Sequence, residues 1–321
     1  MLTFPAQLIY ANAVMSELLL QSVVLAMAVS IAHYIDTNRY KYARWAAILL
    51  IMAWLLKPVF YPLTFLAAGW ALWLAWRRKQ GALAVLGLLP ALLVVVYMGW
   101  NSQRTGYFHF SSITDINMLH YNAAGVVRQV AGAEAEEQWV GSVLQAANAA
   151  PTFAARQRLI AARAGALLWA HPVVYARQHM QGIAAFFLDP GRFDLSEFMG
   201  ISPPAGGGLL AQARAGGLLR AVVRLPMGLL AWLAVLLLAN VIRLALAVRG
   251  FVRLGEAGLM GRRGRWVAVG LLLYVAVLTG PLGATRFLVP VWPLLLTLVL
   301  AGIQGRAVSA SGSGAAEDAN G

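Results

Sequence analysis

The chain contains no cysteine, and only 12% of its 321 residues are Asp, Glu, Lys or Arg. The absence of cysteine excludes a disulfide framework and any thiolate metal site. An ordinary soluble domain has roughly a quarter of its residues charged. Because 60% of the residues here are hydrophobic, there is too little charged surface to cover water-facing cores. The composition therefore argues against a soluble protein and predicts a membrane protein.

Acidic residues are scarcer still, with 12 Asp and Glu against 25 Lys and Arg and a formal net charge of +13. Such a balance is compatible with nucleic-acid binding, but the basic residues fall between apolar runs and form no aromatic-laced basic patch. Nucleic acid is therefore not a predicted partner.

Several catalytic motifs are also absent. The five histidines form no HExxH pattern, and the chain has neither a Walker-type phosphate loop nor a GxSxG elbow. Zinc, ATP-hydrolysis and serine-hydrolase chemistry consequently have no support. No cofactor is predicted, and the sequence does not decide whether a divalent metal is needed.

Long apolar runs predict an all-α polytopic membrane protein, since about 20 apolar residues cross a hydrocarbon core. The predicted crossings are residues 14–35, 45–56, 59–76, 82–100, 225–242, 266–278 and 287–303. Two of them, 45–56 and 266–278, are shorter than the usual minimum of about 17 residues. They either take in flanking residues, tilt little or pack as half-helices. Five crossings would remain if one short segment on each side of the central insert were re-entrant.

The basic residues predict the orientation. Basic loops follow the first, third and fifth crossings, at residues 39–44, 77–79 and 243–265. The positive-inside rule places all three loops in the cytoplasm. The first residues are then extracytoplasmic and the C-terminus is cytoplasmic.

Four regions follow from this topology. Residues 1–100 carry membrane helices 1–4, residues 101–224 form an extracytoplasmic helical segment, residues 225–303 carry helices 5–7, and residues 304–321 form a disordered cytoplasmic tail. An insert of this length is typically functional.

The insert itself has a predicted internal order. Residues 101–122 have the composition of a loop or short strands, and three helices follow. The first spans about 134–149, Pro151 opens the second, and Pro172 opens the third. The third helix stops at Asp189, and Phe186, Phe187 and Leu188 before it are candidates for insertion into the outer interface. Asp194 and Glu197 fit a capping box, and the Gly-rich residues 200–217 are predicted to be a mobile connector.

Three charged residues are predicted to lie at membrane depth near the outer surface: Glu17, Lys57 and Arg286. An ionisable residue within a span is a functional hypothesis by default. The alternative is that Lys57 snorkels and Glu17 lies at head-group level. Two cations placed together there would suit a lipid phosphate or diphosphate, which needs charge-assisted hydrogen bonds.

Five short segments surround these positions. They are MSEL at 15–18, WLLKP at 54–58, FHFSSITDINMLHYNAAG at 108–125, AHPVVY at 170–175 and GATRFLVP at 283–290. In order and in predicted side of the membrane they resemble motifs of the GT-C superfamily of membrane glycosyltransferases. The resemblance is to the bacterial relatives of dolichyl-phosphate-mannose protein mannosyltransferases and to the lipid A aminoarabinose transferases.

The resemblance implies transfer of a sugar from a polyprenyl-phosphate donor to a glycan, lipid or protein acceptor at the outer face of a bacterial inner membrane. It implies that Lys57 and Arg286 contact the lipid phosphate and that Glu17 is a structural motif position. It also implies a catalytic Asp or Glu in an outer loop upstream of anything matching Met1, so we expect an N-terminally truncated or mis-started chain. Asp115 falls where relatives are expected to have a small or neutral residue.

Two other classes remain as alternatives. A noncatalytic membrane assembly protein would use the outer segment to bind a partner. A transporter would show paired repeats and broken helices around a midplane site, and the sequence shows no internal repeat.

Overall fold

The computed structural model describes residues 16–191, 227–254 and 261–304. All regular structure in these ranges is helical, as the sequence predicts. The α-helices are α1 Glu17–Thr37, α2 Tyr40–Leu56, α3 Tyr61–Arg78, α4 Gly81–Thr105, α5 Thr114–Asn117, α6 Ala124–Ala131, α7 Ala133–Asn148, α8 Phe153–Ala170, α9 Pro172–Leu188, α10 Met227–Arg253, α11 Gly261–Thr279 and α12 Trp292–Ile303. Short 3-10 helices cover Pro58–Phe60, Gly280–Leu282 and Thr285–Val291, and a π-helical turn covers Met118–Ala123.

Six helical stretches are long and apolar enough to cross a membrane. They are Glu17–Thr37, Pro58–Arg78, Gly81–Thr105, Met227–Arg253, Arg263–Leu282 and Thr285–Ile303. Large apolar side chains such as Trp45, Leu66 and Val96 face outward from α2, α3 and α4, as expected of helices in contact with lipid. The protein is therefore an all-α, multi-pass membrane protein.

The two short predicted crossings are longer in the structure. The crossing predicted at 45–56 is α2, which begins at Tyr40. Its 17 residues are slightly too few for it to be among the six spans. The crossing predicted at 266–278 lies within α11, which begins at Gly261. Both helices take in basic flanking residues, which is one of the three alternatives, but only the second of them is among the six spans. Helices α8 and α9 meet at a 99° bend and together could form one further, broken span.

The fifth crossing also differs from its prediction. It continues to Arg253 instead of ending at residue 242, and Arg243, predicted to begin a cytoplasmic loop, is only 8% exposed inside the helix bundle. The prediction was wrong because Arg243 has polar and aromatic partners there: it donates to Asn240 Oδ1 and lies over the Trp292 ring.

Close helix packing holds α10 against α12. A Cβ atom at Gly250 would lie 1.8 Å from the carbonyl oxygen of Leu298, and one at Gly302 would lie 2.1 Å from that of Leu246. Small residues at such crossings let two backbones approach, which is how apolar helices associate without a hydrophobic driving force.

The insert, of which residues 101–191 are described, docks into the bundle through α9. Phe186 is 1% exposed and belongs to the central core with Leu20, Phe60 and Leu294. Its predicted insertion into the outer interface was therefore wrong, because α9 packs its C-terminal turn against the membrane helices instead.

Two further predictions for the insert need correction. Residues 101–122, predicted as a loop or short strands, form a loop only at 106–113 and no strand, since α4 continues to Thr105 and α5 is followed by the π-helical turn. Pro151 does not open the second helix; α8 begins at Phe153, and the Thr152 hydroxyl caps it by accepting a hydrogen bond from the Ala155 N–H. A hydroxyl cap satisfies one of the free N–H groups of the first turn. The helices predicted at 134–149 and from Pro172 are confirmed as α7 and α9.

Some predictions lie outside the described residues. They concern the chain before residue 16, the Asp194 and Glu197 capping box, the connector at 200–217 and the tail from residue 305.

Candidate functional site

Lys57 lies at the break between α2 and the Pro58–Phe60 turn. Its backbone is extended, with φ −148° and ψ 122°, because a following proline disfavours the helical conformation. The break directs the Lys57 side chain towards the start of α1, where Nζ lies 2.5 Å from Glu17 Oε1. Glu17 is 4% exposed and the Lys57 side chain is 20% exposed, so a buried carboxylate pairs with a partly buried ammonium and joins two helices. Glu17 thus has a specific structural partner.

Phe287 connects Lys57 with Arg286. Lys57 Nζ lies 5.7 Å from the centroid of the Phe287 ring, and Arg286 Cζ lies 4.9 Å from it. Both distances are within the range of cation–π attraction. The structure therefore links all three residues singled out in the sequence: Phe287 contacts both cations, and Glu17 pairs with Lys57.

The charges of Lys57 and Arg286 are not equivalent. Glu17 neutralises Lys57, whereas the guanidinium of Arg286 forms no ion pair within the described ranges. An anion at this position would therefore be attracted mainly by Arg286.

Asp189 anchors the turn that carries Arg286. Its Oδ2 accepts a hydrogen bond of 2.9 Å from Thr285 Oγ1, and its backbone carbonyl accepts from Thr285 and from Asn240 Nδ2. Thr285 precedes Arg286, so the end of α9 and the middle of α10 jointly fix the backbone beside the cation. Arg243, which donates to Asn240, extends this network into the bundle.

This network was not predicted from the sequence, in which Asp189 was interpreted as a helix stop and Arg243 as a cytoplasmic flank. The available signal was Asn240 and Arg243 three residues apart, since such a spacing places two polar side chains on one face of an otherwise apolar helix.

A second polar cluster surrounds Asp115 in the insert. Burial raises the pKa of the Asp115 carboxyl above its ordinary value of 3.8, and a hydrogen bond from Tyr107 and the nearby His109 oppose this rise only in part. Asp115 also interacts electrostatically with Tyr61 at the start of α3, which places it on the side of the bundle where Lys57 lies. Asp115 lies in one of the sequence motifs, but no role was predicted for it.

We expect Asp115→Asn to raise the thermal unfolding midpoint at neutral pH. A carboxyl whose pKa is raised by folding costs stability once it ionises, so the cost is absent below about pH 3.8 and grows as pH rises through the folded pKa. The gain of the variant should therefore shrink as pH falls from 8 to 4. Unfolding scans in detergent micelles at several pH values measure it. Glu137→Gln, at an exposed position of α7, is the control and should show no such gain; a pH-independent difference for Asp115→Asn would contradict the prediction.

No group of three His, Cys, Asp or Glu side chains within the described residues is arranged to hold a metal ion. The charged groups available are the Arg286 guanidinium, which has no ion-pair partner among the described residues, the neutralised Lys57, and the half-buried Asp115 carboxyl with a raised pKa. The chain matches no protein-family model, no curated protein and no solved structure.

Proposed function

We propose that the protein is an integral membrane glycosyltransferase that uses a polyprenyl-phosphate-linked sugar at the outer face of a bacterial inner membrane, with a glycan, lipid or protein acceptor. The observation that supports it best is the convergence of Arg286 and Lys57 on Phe287, at the end of a membrane span. A lipid phosphate at the bilayer surface needs charge-assisted donors beside an apolar surface, and this group of side chains supplies both.

Arg286 is the main phosphate ligand in this proposal. Its planar guanidinium can donate two parallel hydrogen bonds to a phosphate. Lys57 contributes less charge because Glu17 neutralises it.

Transfer also needs a proton acceptor. The bond between the sugar C1 and the phosphate oxygen breaks, a bond from C1 to the acceptor oxygen forms, and the acceptor's proton moves to a base. Among the described acidic residues Asp115 suits this task best, because a carboxyl with a raised pKa binds a proton more readily near neutral pH. The resemblance instead implies a base in an earlier outer loop, so Asp115→Asn in a transfer assay distinguishes the two. Loss of turnover with donor affinity unchanged would assign the role to Asp115.

We expect Arg286→Ala to weaken binding of undecaprenyl phosphate by about ten- to a hundredfold, the loss typical of a charge-assisted hydrogen bond. The measurement is lipid titration of the protein in nanodiscs, followed by native mass spectrometry. Arg104→Ala is a matched control, since Arg104 also lies over an aromatic ring, 4.8 Å from the Trp100 centroid, at the end of a span.

Two outcomes would contradict the proposal. One is equal affinity of wild type and Arg286→Ala for undecaprenyl phosphate. The other is absence of transfer from every polyprenyl-phosphate hexose and pentose offered together with cell-envelope extract.

A specific observation also favours the second candidate, a noncatalytic partner-binding membrane protein. At the corner between α8 and α9, Trp169 is 85% exposed and Val173 lies beside it, also exposed. The two residues lie outside the six single-helix spans, and exposed large apolar residues in such a place are typical of a protein interface. Retention of a co-purifying partner in wild type and its loss in Trp169→Ser, with no transfer activity in either, would support this candidate.

A further inference from the structure

A cavity of about 610 Å³ lies between α1, α2, α3, α4 and α11. On α1 its lining begins at Met27 and ends at Ile35, so it starts about 15 Å along the helix from Glu17. On α11 its lining begins at Arg263 and ends at Tyr274, which spans about 16 Å. One leaflet of a bilayer has a hydrocarbon layer of about 15 Å, half of the full core. The cavity is therefore about one leaflet deep, and none of its described lining residues belongs to the candidate phosphate site.

The walls of the cavity are apolar. Arg263 is the sole charged residue among the described residues that line it. The Tyr274 hydroxyl already donates to the Val59 carbonyl oxygen, and the Tyr34 hydroxyl has essentially no accessible surface. A polar ligand would leave its own groups without partners inside such walls, which costs free energy. The interior therefore suits a hydrocarbon chain.

The cavity opens sideways, towards the lipid. Leu66 and Trp70 of α3 and Trp266 of α11 line it and are also exposed in the described part of the chain. Both helices belong to the six membrane spans. Because the opening lies between spans, a hydrocarbon chain can enter it directly from the bilayer.

Gly270 of α11 forms an open part of the wall. A Cβ atom there would meet nothing within 4 Å. At Gly87, which also lines the cavity, a Cβ atom would lie 2.2 Å from Ala71 Cβ, so the close packing of α3 and α4 explains that glycine. No described neighbour occupies the space beside Gly270, and a larger side chain at this position would extend into the cavity.

Two guanidinium groups border the mouth of the cavity, at the C-terminal end of α1. Arg263 lines the cavity and donates from Nη1 to the Ile35 carbonyl oxygen, 3.1 Å away. Arg78 donates to Asn38 Oδ1 and interacts electrostatically with Tyr34, a lining residue. Each guanidinium carries five N–H groups, so both retain donors for a phosphate.

The surroundings of the mouth are basic as well. Three Lys and Arg residues lie within 39–44 and three within 77–79, whereas the acidic residue described at this end of α1 is the exposed Asp36. Each basic residue near a membrane surface attracts anionic lipid by about 1 kcal/mol. A lipid with a net negative charge therefore gains more here than a zwitterionic lipid.

We propose that this cavity binds an anionic glycerophospholipid, with one acyl chain between α1, α3 and α11 and its phosphate held by Arg263 and Arg78. A second copy of this chain is a poorer occupant, because it would bring its own basic connections to a basic mouth. The site does not depend on the proposed function, since it lies apart from Arg286 and requires no transfer of sugar.

The test is a lipid titration of the full chain in detergent micelles, followed by native mass spectrometry. The probes are phosphatidylglycerol and phosphatidylethanolamine with identical acyl chains. We expect phosphatidylglycerol to bind about tenfold more tightly, the gain typical of a charge-assisted hydrogen bond. Arg263→Gln should remove this preference by weakening phosphatidylglycerol binding about tenfold while leaving phosphatidylethanolamine binding unchanged.

Matched controls separate the cavity from the rest of the lipid-facing surface. Gly270→Leu should weaken binding of both lipids because it fills the cavity. Gly99→Leu makes the same change in α4 outside the lining, again where a Cβ atom meets nothing within 4 Å, and it should bind both lipids like wild type. Arg249→Gln removes a charge from an exposed position of α10 outside the lining, and it should keep the preference for phosphatidylglycerol. Thermal unfolding of each variant without added lipid shows whether the fold is retained.

Three results would overturn the phospholipid site. They are equal affinity of wild type for the two lipids, unchanged phosphatidylglycerol affinity in a folded Arg263→Gln, and equal binding by Gly270→Leu and Gly99→Leu. Undecaprenyl phosphate that binds more tightly than phosphatidylglycerol, and loses this affinity in Gly270→Leu, would assign the cavity to the donor lipid instead. If phosphatidylglycerol binds as expected but no sugar is transferred from any polyprenyl-phosphate donor, the phospholipid site stands and the glycosyltransferase proposal fails.

Discussion

Replacing Lys57 by methionine is expected to destabilise the protein by about 3–5 kcal/mol, the usual cost of removing one partner of a buried ion pair. The reason is that Glu17, 4% exposed, would keep a carboxylate inside the bundle with no cation 2.5 Å away. The measurement is the free energy of unfolding by SDS titration in mixed micelles. The loss should be larger than any effect on the fold of replacing Arg286, which has no carboxylate partner in the described ranges.

Two companion variants test whether the unpaired Glu17 carboxylate causes this loss of stability. Glu17→Gln should cost less than Lys57→Met, because Lys57 is more exposed than Glu17 and its long side chain can move its charge towards water. The double variant should recover most of the stability lost in Lys57→Met, since it leaves no unpaired buried charge. Additive losses in the double variant would show that the two side chains do not depend on each other.

Replacing Gly182 by alanine is expected to weaken the docking of α9 and to destabilise the protein by about 1–3 kcal/mol, as overpacking does in a close-packed interior. A Cβ atom there would lie 2.1 Å from the Gly280 carbonyl oxygen and 2.7 Å from Pro281 Cα. Both are backbone atoms of a turn in which Gly280 and Gly283 have positive φ. The neighbouring backbone therefore has little freedom to move away.

The effect of Gly182→Ala should extend to ligand binding. The turn at 280–283 leads directly to Thr285 and Arg286, so displacement of α9 should also weaken undecaprenyl phosphate binding. Gly165→Ala in α8 is the control, since a Cβ there meets nothing within 4 Å. It should be neutral or stabilise by up to about 1 kcal/mol through helix propensity. Equal unfolding midpoints for the two variants would contradict the close contact at Gly182.

The membrane helices could be predicted because each long apolar run meets a length requirement fixed by the bilayer. Lys57 and Arg286 were also recognisable, since a charge beside an apolar run stands out in one dimension. The residues that these two side chains contact could not be recognised from the sequence. The pairing of Glu17 with Lys57 joins residues 40 positions apart, and Phe287, which contacts both cations, is an ordinary aromatic residue in the sequence.

The predictions that failed did so where tertiary contacts override local pattern. Arg243 resembles a cytoplasmic flank by position, but Asn240 and Trp292 provide it with partners inside the bundle. Phe186 belongs to an apolar cluster that suits a membrane surface equally well, and only the packing of α9 shows that it is a core residue.

Asp189 follows α9, yet its backbone and carboxylate both bind residues of the membrane bundle, Asn240 and Thr285. A displacement of α9 along its axis would pull on Thr285 and so on the neighbouring Arg286. If the proposed function holds, binding of an acceptor beside α9 and binding of a lipid phosphate at Arg286 would be energetically linked, each changing the affinity for the other by the same factor. Asp189 is the residue through which such reciprocity would act.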